Sequence, residues 1–330
     1  MESVTKSKLT SAQVESLVKK HFPEAHSLHI EELTEGMFNT AYLIHGEGVL
    51  PEGMVLKIGP GPEAKTLTYE KDILRTEIEV YQLLQDKPIP LPALLAFDYS
   101  REDVPCDYFF MECLQGQTWK SYGEELPSEA RPALMRELGA YNAVIHSVEG
   151  QWFGYLKKDT HYQYTSWGQA FGGMMNDILN DGRASGYELP YQEIEDVIQK
   201  HLTLLNAIAR PQLVNFDMWA GNVFLKEDSG LKISGILDLE RSFYGDPYAD
   251  FTSAMSIFWD VEQEADFCAG YSEVSSSPLT VTEDDRIRMN LYRLYMAVIL
   301  YVETYRYDPE YAAHAQGFSM KYILSMLEKL

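Results

Sequence analysis

The chain has 330 residues, of which 45% are hydrophobic and 23% are charged, and its formal net charge is −23. That length and apolar content predict a substantial core, arranged as two domains or one bilobed unit. Nucleic-acid binding needs a basic stripe that neutralises phosphates. The acidic net charge therefore argues against nucleic-acid binding and favours cationic or neutral partners.

The cysteine content and the lengths of the apolar runs indicate the cellular compartment of the protein. The N-terminal segment lacks the apolar stretch of a secretory signal, and the run "MAVILYV" is too short to span a bilayer. Cys106, Cys113 and Cys268 cannot all pair and lack the spacing of a zinc or redox motif. We therefore expect a cytoplasmic protein with reduced thiols and no membrane partner, present as a monomer or homodimer.

The first predicted element is a helix. Thr10 is followed three residues later by Gln13, the pattern of a capping box, and apolar residues follow at helical spacing. From Ile30 to Ile58, apolar runs punctuated by glycine and proline predict three antiparallel strands. A helix over residues 74–84, stopped by "KPIPLPALL", and a strand pair around "LLAFDYS" and "YFFMECL" complete this part.

Beyond Gly116 the pattern becomes helical. The segments "SEARPALMRELGAYNAVIHSV", "SWGQAFGGMMNDIL" and "YQEIEDVIQKHLTLLNAIA" carry apolar residues at three- and four-residue intervals. Two or three further helices are predicted between Asp284 and Leu330, and we interpret their many tyrosines as packing residues rather than a ligand cage. Two short strands within residues 215–240 are the only predicted interruption.

The stretch "NFDMWAGNVFLKEDSGLKISGILDLE" places polar side chains beside apolar runs. Asp217 and Asn222 lie five residues apart, and a predicted hairpin then returns Asp238 to the same end. Burial of such groups is costly without a ligand, and an Asp and an Asn can share Mg²⁺ with substrate phosphates while another Asp orients a hydroxyl. The alternative is that all three are turn and cap residues.

A lysine and a glycine in the first part have chemistry that fits such a site. Lys57 lies inside the apolar strand "MVLKI", where a lysine needs a partner, and Glu77 on the following helix is the first candidate, with Glu79 second. In the turn "EGMFNT", Gly36 would let a phosphate approach backbone donors, and we expect Asn39 beside it.

These residues and their order resemble the aminoglycoside phosphotransferase and choline kinase group, which shares the protein-kinase fold. "NFDMWAGN" is similar to the group's H-x-D-x-x-x-x-N loop, "GILDLE" to its I-D-x-E strand end and "GDPYADF" to its G-D-P-x-x-D-L signature. The resemblance implies an α+β, bilobed fold with a small antiparallel-sheet lobe, residues 1–115, and a larger helical lobe, residues 116–330. The stretch "YFFMECLQGQTW" resembles the inter-lobe linker, placed at residues 111–116.

The resemblance also implies roles for single residues. Asp217 becomes the catalytic base, Asn222 and Asp238 become Mg²⁺ ligands, and Asp246 and Asp250 are structural. The residues implied to bind the nucleotide are Lys57, Glu77, Gly36, Asn39, Glu112, Cys113 and Leu114, the last three through main-chain groups beside the base. Asn215 stands where the group usually has His, and we expect its amide to hold the loop, with altered rather than abolished activity.

The predicted function is Mg²⁺-dependent transfer of the γ-phosphate of ATP or GTP to a hydroxyl of a small molecule. We expect the acceptor near Trp219, Glu240 and "FWDVEQEADF", where acidic residues favour an amine-bearing sugar or alcohol. The alternative is a nucleotide-binding pseudokinase or regulator without turnover. A protein kinase is disfavoured because the sequence lacks an A-P-E segment and a long activation loop.

Overall fold

The computed structural model describes residues 3–34 and 36–330. Glu35, the first residue of the predicted phosphate-side turn, lies outside the described residues. Within the described part of the chain, no helix is both long enough and apolar enough to cross a membrane.

The opening helix begins as the sequence predicts. Helix α1 is Ser11–His21, and Thr10 and Gln13 exchange the two hydrogen bonds of a capping box at its start. Its buried residues, Val14, Leu17 and Val18, share an apolar cluster with one face of the sheet that follows.

A five-stranded antiparallel sheet forms the small lobe. Its strands are β1 (His26–Leu33), β2 (Thr40–Glu47), β3 (Met54–Ile58), β4 (Leu94–Asp98) and β5 (Tyr108–Glu112), in the order β1-β2-β3-β5-β4. All residues of the central strand β3 are buried. Lys57 therefore sits inside the lobe, opposite Ala41 of β2 and Phe109 of β5. Helix α2 (Ile73–Leu84) follows and buries Glu77.

The larger lobe is mostly helical. Its helices are α3 (Trp119–Tyr122), α4 (Arg131–His146), α5 (Trp167–Ala184), α6 (Tyr191–Lys200), α7 (Leu202–Leu205), α8 (Asp250–Ser253), α9 (Ala265–Ser275), α10 (Glu283–Val302) and α11 (Pro309–Leu327). The prediction of one continuous helix over residues 191–209 was wrong, because the chain leaves helical geometry at His201 and forms two helices. The helices predicted after Asp284 are confirmed as α10 and α11.

Short strands also cross the helical lobe. They are β6 (Gln117–Thr118), β7 (Gly154–Tyr155), β8 (Gln212–Val214), β9 (Val223–Glu227), β10 (Leu231–Ile236) and β11 (Phe243–Gly245), paired in the orders β10-β9-β6 and β7-β11-β8. The predicted hairpin is confirmed as β9 and β10. The prediction that it is the only interruption was wrong, because strands of two or three residues are too short to show an alternating pattern.

Residues 65–70, which we call the bridging segment, leave the sheet lobe and dock on the helical lobe. Thr68 opens a 3-10 helix there and donates its N–H and its hydroxyl to the two carboxylate oxygens of Asp181 on α5, at 2.6 and 2.9 Å. Leu67 and Tyr69 are buried in the apolar cluster that α5 and α10 form. The two lobes are therefore joined by packing as well as by the linker.

Candidate functional site

The loop between β8 and β9, residues 215–222, is held by its backbone. The carboxylate of Asp250 accepts the N–H groups of Asn215 and Phe216 at 3.0 and 2.5 Å, and His146 Nε2 lies 2.9 Å from the same carboxylate. Phe216 has a φ of 59°, a left-handed conformation that costs energy in a residue other than glycine. This anchoring fixes the orientation of the next residue, Asp217.

The Asn215 amide donates one hydrogen bond within the loop, to a sulfur atom, and its effect on activity stays a prediction. Its side chain is fully buried, its Nδ2 lies 3.9 Å from Met218 Sδ, and its Oδ1 has no hydrogen-bond partner among residues 3–34 and 36–330. Because Asp250 engages the loop through main-chain groups, the loop keeps its shape with an under-satisfied amide at this position.

Asn222 links the loop to the end of the hairpin. The side-chain Nδ2 of Asn222 donates to the main-chain carbonyl of Asp217 at 2.9 Å. The main-chain carbonyl of Asn222 accepts the Leu237 N–H at 2.9 Å. Asp238 follows directly, with a φ of 57°. With Nδ2 engaged, the Asn222 side chain keeps its oxygen as a possible ligand atom.

Lys57 is the centre of a cluster of carboxylates. Its Nζ lies 2.6 Å from Glu77 Oε2 and 3.2 Å from Glu240 Oε2, and it also contacts Asp238 Oδ1. Lys57 and Glu77 are buried, whereas the Asp238 side chain is 41% exposed. Glu77, rather than Glu79, therefore makes the contact with Lys57, and the cluster opens to solvent on the Asp238 side.

The ionisation of these groups follows from burial and mutual charge. Burial lowers the pKa of Lys57, but the surrounding carboxylates outweigh it and raise this pKa well above its ordinary value. Burial raises the pKa of Glu77 to about 8 against the opposing charge of Lys57. Burial also raises the pKa of Asp217 to about 7, with Arg241 opposing the rise and Asp238 adding to it. A carboxylate with that pKa suits a general base near neutral pH.

Three acids of the cluster can be tested for a divalent cation. Carboxylate oxygens of Glu77, Asp238 and Glu240 lie within 4.8 Å of one another. Glu77 is committed to Lys57 on the buried side, whereas the Asp238 side chain is partly exposed, so Asp238 and Glu240 are the carboxylates of the cluster that could hold a cation, and the Asn222 side-chain oxygen is a further candidate donor. Hard oxygen donors of this kind fit Mg²⁺.

The predicted phosphate-side turn contributes one contact to the cluster. Asn39 Nδ2 donates to Glu240 Oε2 at 2.6 Å, across from the sheet lobe to the helical lobe. Gly36 is exposed, and a Cβ added there would lie 3.5 Å from Asn39 O. The space around position 36 therefore does not require a glycine.

The predicted linker runs past the end of β5. The Cys113 N–H donates to Gly53 O at 3.4 Å, and Glu112 is the last residue of the strand. Within the described residues, no hydrogen bond engages the Leu114 N–H. Leu114 packs on Gly235, where a Cβ would lie 2.2 Å from its Cδ1. The role of the Leu114 N–H beside a nucleotide base stays a prediction.

Arg241 is a site residue that the sequence reasoning missed. Its Nε lies 3.7 Å from Asp217 Oδ2, its Nη2 donates to Glu303 Oε2 at 3.0 Å, and its guanidinium lies 5.7 Å from the centre of the Tyr69 ring. The available signal was an arginine directly after "ILDLE", the polar end of an apolar strand. Glu303 gave no comparable signal, because it lies more than 60 residues farther along the chain.

The two residues predicted near the acceptor lie in different surroundings. Glu240 belongs to the Lys57 cluster. The Trp219 indole packs on Gly221, where a Cβ would lie 2.4 Å from the ring, and Lys120 Nζ lies 5.1 Å from the ring centre. The acceptor role of both residues stays a prediction.

Two of the four acids of "FWDVEQEADF" are paired with arginines. Glu262 lies 2.7 Å from Arg286, and Glu264 lies 2.8 Å from Arg131. A cavity of about 580 Å³ elsewhere, between α2 and the edge strand β4, includes only Glu112 of the predicted site residues. Neither feature adds a group to the cleft beside Asp217.

Comparison with known protein families assigns most of the chain. Residues 29–287 match the phosphotransferase enzyme family. The chain belongs to this family. Membership confirms the resemblance stated from the sequence and supports a small-molecule phosphotransferase.

Solved structures of this family share the fold. A candidate aminoglycoside phosphotransferase from Ralstonia eutropha JMP134 has 14% identity and a TM-score of 0.65, covering 97% of this chain and 98% of that one. A thermostable mutant of aminoglycoside phosphotransferase APH(4)-Ia with AMP-PNP and hygromycin B has 17% identity and a TM-score of 0.64, covering 96% and 98%. The streptomycin–ATP complex of APH(2'')-IIa has 15% identity and a TM-score of 0.58, covering 97% and 99%. The α+β, bilobed, kinase-like fold is thereby confirmed.

Proposed function

We propose that this protein transfers the γ-phosphoryl group of ATP or GTP to a hydroxyl of a small-molecule acceptor. The observation that carries the proposal is the meeting of Lys57, Glu77 and Asp238 at one point, with Asn222 joining the Asp217 loop to the strand end that bears Asp238. Phosphoryl transfer needs a fixed cation, oxygen ligands for a metal and a base for the attacking hydroxyl. This arrangement supplies each of them.

In the proposed mechanism each residue has one task. Lys57, oriented by Glu77, binds nucleotide phosphates, and the Leu114 N–H binds the base. Asn222 and Asp238 would hold Mg²⁺, which neutralises charge on the phosphates. Asp217 accepts the proton of the acceptor hydroxyl. The oxygen of that hydroxyl bonds to the γ-phosphorus while the bond from the γ-phosphorus to the β-phosphate oxygen breaks. The proposal includes a lobe division near residues 115 and 116.

The acceptor class is proposed from charge and from relatives. The structural neighbours include complexes with hygromycin B and with streptomycin, and the net charge of −23 attracts cations. An amine-bearing sugar or alcohol is therefore the first class to test, with neutral macrolides, choline-like alcohols, homoserine and methylthioribose as comparison groups.

The test measures consumption of ATP and GTP with each acceptor, and binding of the nucleotide by thermal shift. Asp217→Asn should lower kcat about 10²- to 10⁴-fold and still bind Mg-nucleotide, because it removes the base alone. Lys57→Met should weaken nucleotide binding itself. Asp228→Asn, an exposed acid in the turn of the same hairpin, is the matched control and should keep parent turnover.

The outcomes separate the alternatives. Parent turnover in Asp217→Asn would remove the assignment of the base. Binding of Mg-nucleotide without consumption over the whole acceptor panel would favour the pseudokinase alternative instead.

A further inference from the structure

Charges of alternating sign connect the bridging segment to Asp217. Glu70 contacts Arg306, whose Nη2 also lies 3.6 Å from Glu303 Oε2. The same oxygen of Glu303 accepts from Arg241 Nη2 at 3.0 Å, and Arg241 Nε lies 3.7 Å from Asp217 Oδ2. Each guanidinium therefore lies between two carboxylates. We call these five residues the ion chain.

Most of the ion chain is shielded from water. The side chains of Arg306 and Glu70 are 2% and 1% exposed, and that of Glu303 is 5% exposed. Charges in such surroundings interact over short distances with little screening, and loss of one partner leaves the other uncompensated. Removal of a charge at one end of the ion chain therefore alters the electrostatic interactions of the neighbouring residue.

The distal end of the ion chain depends on docking of the bridging segment. Thr68 is bound by Asp181, Tyr305 donates its hydroxyl to Lys65 O at 2.9 Å, and Lys157 Nζ lies 3.2 Å from Thr68 O. These contacts hold the short helix that carries Glu70 against the helical lobe.

The bridging segment also reaches the residue that precedes the base. Tyr69, Arg241 and Phe216 line a cavity of about 10 Å³, which has room for roughly one water molecule. Phe216 immediately precedes Asp217. The docked segment therefore encloses the space beside Phe216, while Glu70 completes the ion chain.

We propose that Glu70 and Arg306 are positioning residues for phosphoryl transfer, which hold Arg241 beside the Asp217 carboxylate through Glu303. The inference rests on the proposed role of Asp217 as base. Without Arg306, Glu303 has Arg241 as its remaining cationic partner among the described residues and draws that guanidinium away from Asp217. The base then loses the cation that orients it.

The first measurement separates kcat from KM. Arg306→Met should lower kcat about 10- to 100-fold, since a small displacement of a catalytic group has effects of this size. KM for the nucleotide should stay within about twofold, because Lys57 and the linker are untouched. Arg306→Lys, which keeps a cation, should recover part of the lost kcat.

A second variant separates a loss of kcat from a loss of folding stability. Arg306→Met alone leaves Glu70 buried without its cation, so we include Glu70→Leu/Arg306→Met, in which apolar side chains replace the buried pair. This double variant should regain thermal stability but not kcat. The matched control is Arg288→Met, which breaks a buried pair with Asp246 at 2.8 Å and should lower stability while keeping kcat per folded molecule.

Parent kcat in the double variant would overturn the inference, as would an equal fall of kcat in Arg288→Met. The proposed function fails in a different experiment, when Asp217→Asn retains parent turnover. The two failures are therefore distinguishable.

Discussion

Two lysines, Lys57 in a buried site and Lys157 in a partly buried one, illustrate how local surroundings set ionisation. Lys57 lies among three carboxylates. Lys157 instead lies over the rings of Tyr155 and Tyr162, at 5.2 and 4.6 Å, and donates to a carbonyl. Burial lowers the pKa of Lys157 to about 8, because these partners offset little of the cost of desolvation.

A pH-dependent stability follows for Lys157. Its folded-state pKa lies below the ordinary value of 10.5, so the unfolded chain binds more protons between those two pH values. The free energy of unfolding of the parent, compared with Lys157→Met, should therefore rise by on the order of 1–3 kcal/mol from about pH 7 to about pH 10. Denaturant titrations at several pH values measure this difference.

Lys157→Gln should give the same pH dependence as Lys157→Met, because both replacements are neutral. A difference from the parent that stays constant over this pH range would contradict the prediction.

The residues that the sequence predicted are those with local signatures. Lys57 was identified because a lysine in an apolar strand needs a partner, and Asp217 and Asp238 because polar residues end apolar runs. Arg306 and Glu303 could not be identified, since their partners Glu70 and Arg241 are far away in sequence and the pairing depends on the docked bridging segment. Contacts of that kind are a property of the tertiary fold alone.

At the scale of elements, the first residue of α8 binds the loop of residues 215–222. Asp250 binds two main-chain N–H groups of the loop, whereas Asp246, four residues earlier, binds Arg288 and Tyr292 on α10. The two acids of "GDPYADF" therefore have different tasks. Asp250 stabilises the loop conformation, and Asp246 binds α10 to the segment that precedes α8.

Substitution separates the two tasks. Asp250→Asn should lower the free energy of unfolding by about 2–4 kcal/mol and also lower kcat per folded molecule, because an amide cannot accept the same set of hydrogen bonds. Asp246→Asn should lower stability by a similar amount but keep kcat per folded molecule. Denaturant titration and active-site-normalised kinetics measure both quantities, and equal kcat values for the two variants would contradict the distinction.

Elements with a long periodic pattern were predictable, and short ones were not. The α1 cap and the β9–β10 hairpin follow from local pattern and are confirmed. The break at His201 was missed because apolar spacing continues across it, although the backbone turns there. Pairs such as β7 with β11 form because tertiary packing brings two or three residues together, which no local pattern announces.

At the scale of the whole molecule, the sheet lobe has two kinds of buried leucine. Leu56 of β3 packs in the cluster under α1, which belongs to the sheet lobe alone. Leu67 of the bridging segment packs in the cluster of α5 and α10. Burial of Leu67 therefore couples the stability of the sheet lobe to that of the helical lobe.

This coupling predicts different unfolding behaviour for two identical truncations. Leu67→Ala and Leu56→Ala should each cost about 2–5 kcal/mol, since both leucines are buried. Leu67→Ala should in addition separate the unfolding of the two lobes, so that the calorimetric enthalpy exceeds the van't Hoff enthalpy. Leu56→Ala should retain the enthalpy ratio of the parent, and the same ratio in both variants would contradict the coupling.

The bridging segment also limits where this chain can be recombined with its relatives. A chimaera joined at residues 111–116 would bring in a foreign residue 70 and leave Arg306 facing it across a dry interface. A chimaera that keeps this chain's residues 65–72 with its helical lobe would instead retain residues 65–70 together with the helices they fit. Exchange of lobes between family members should therefore treat that short stretch as part of the helical lobe, although it precedes about four-fifths of the chain.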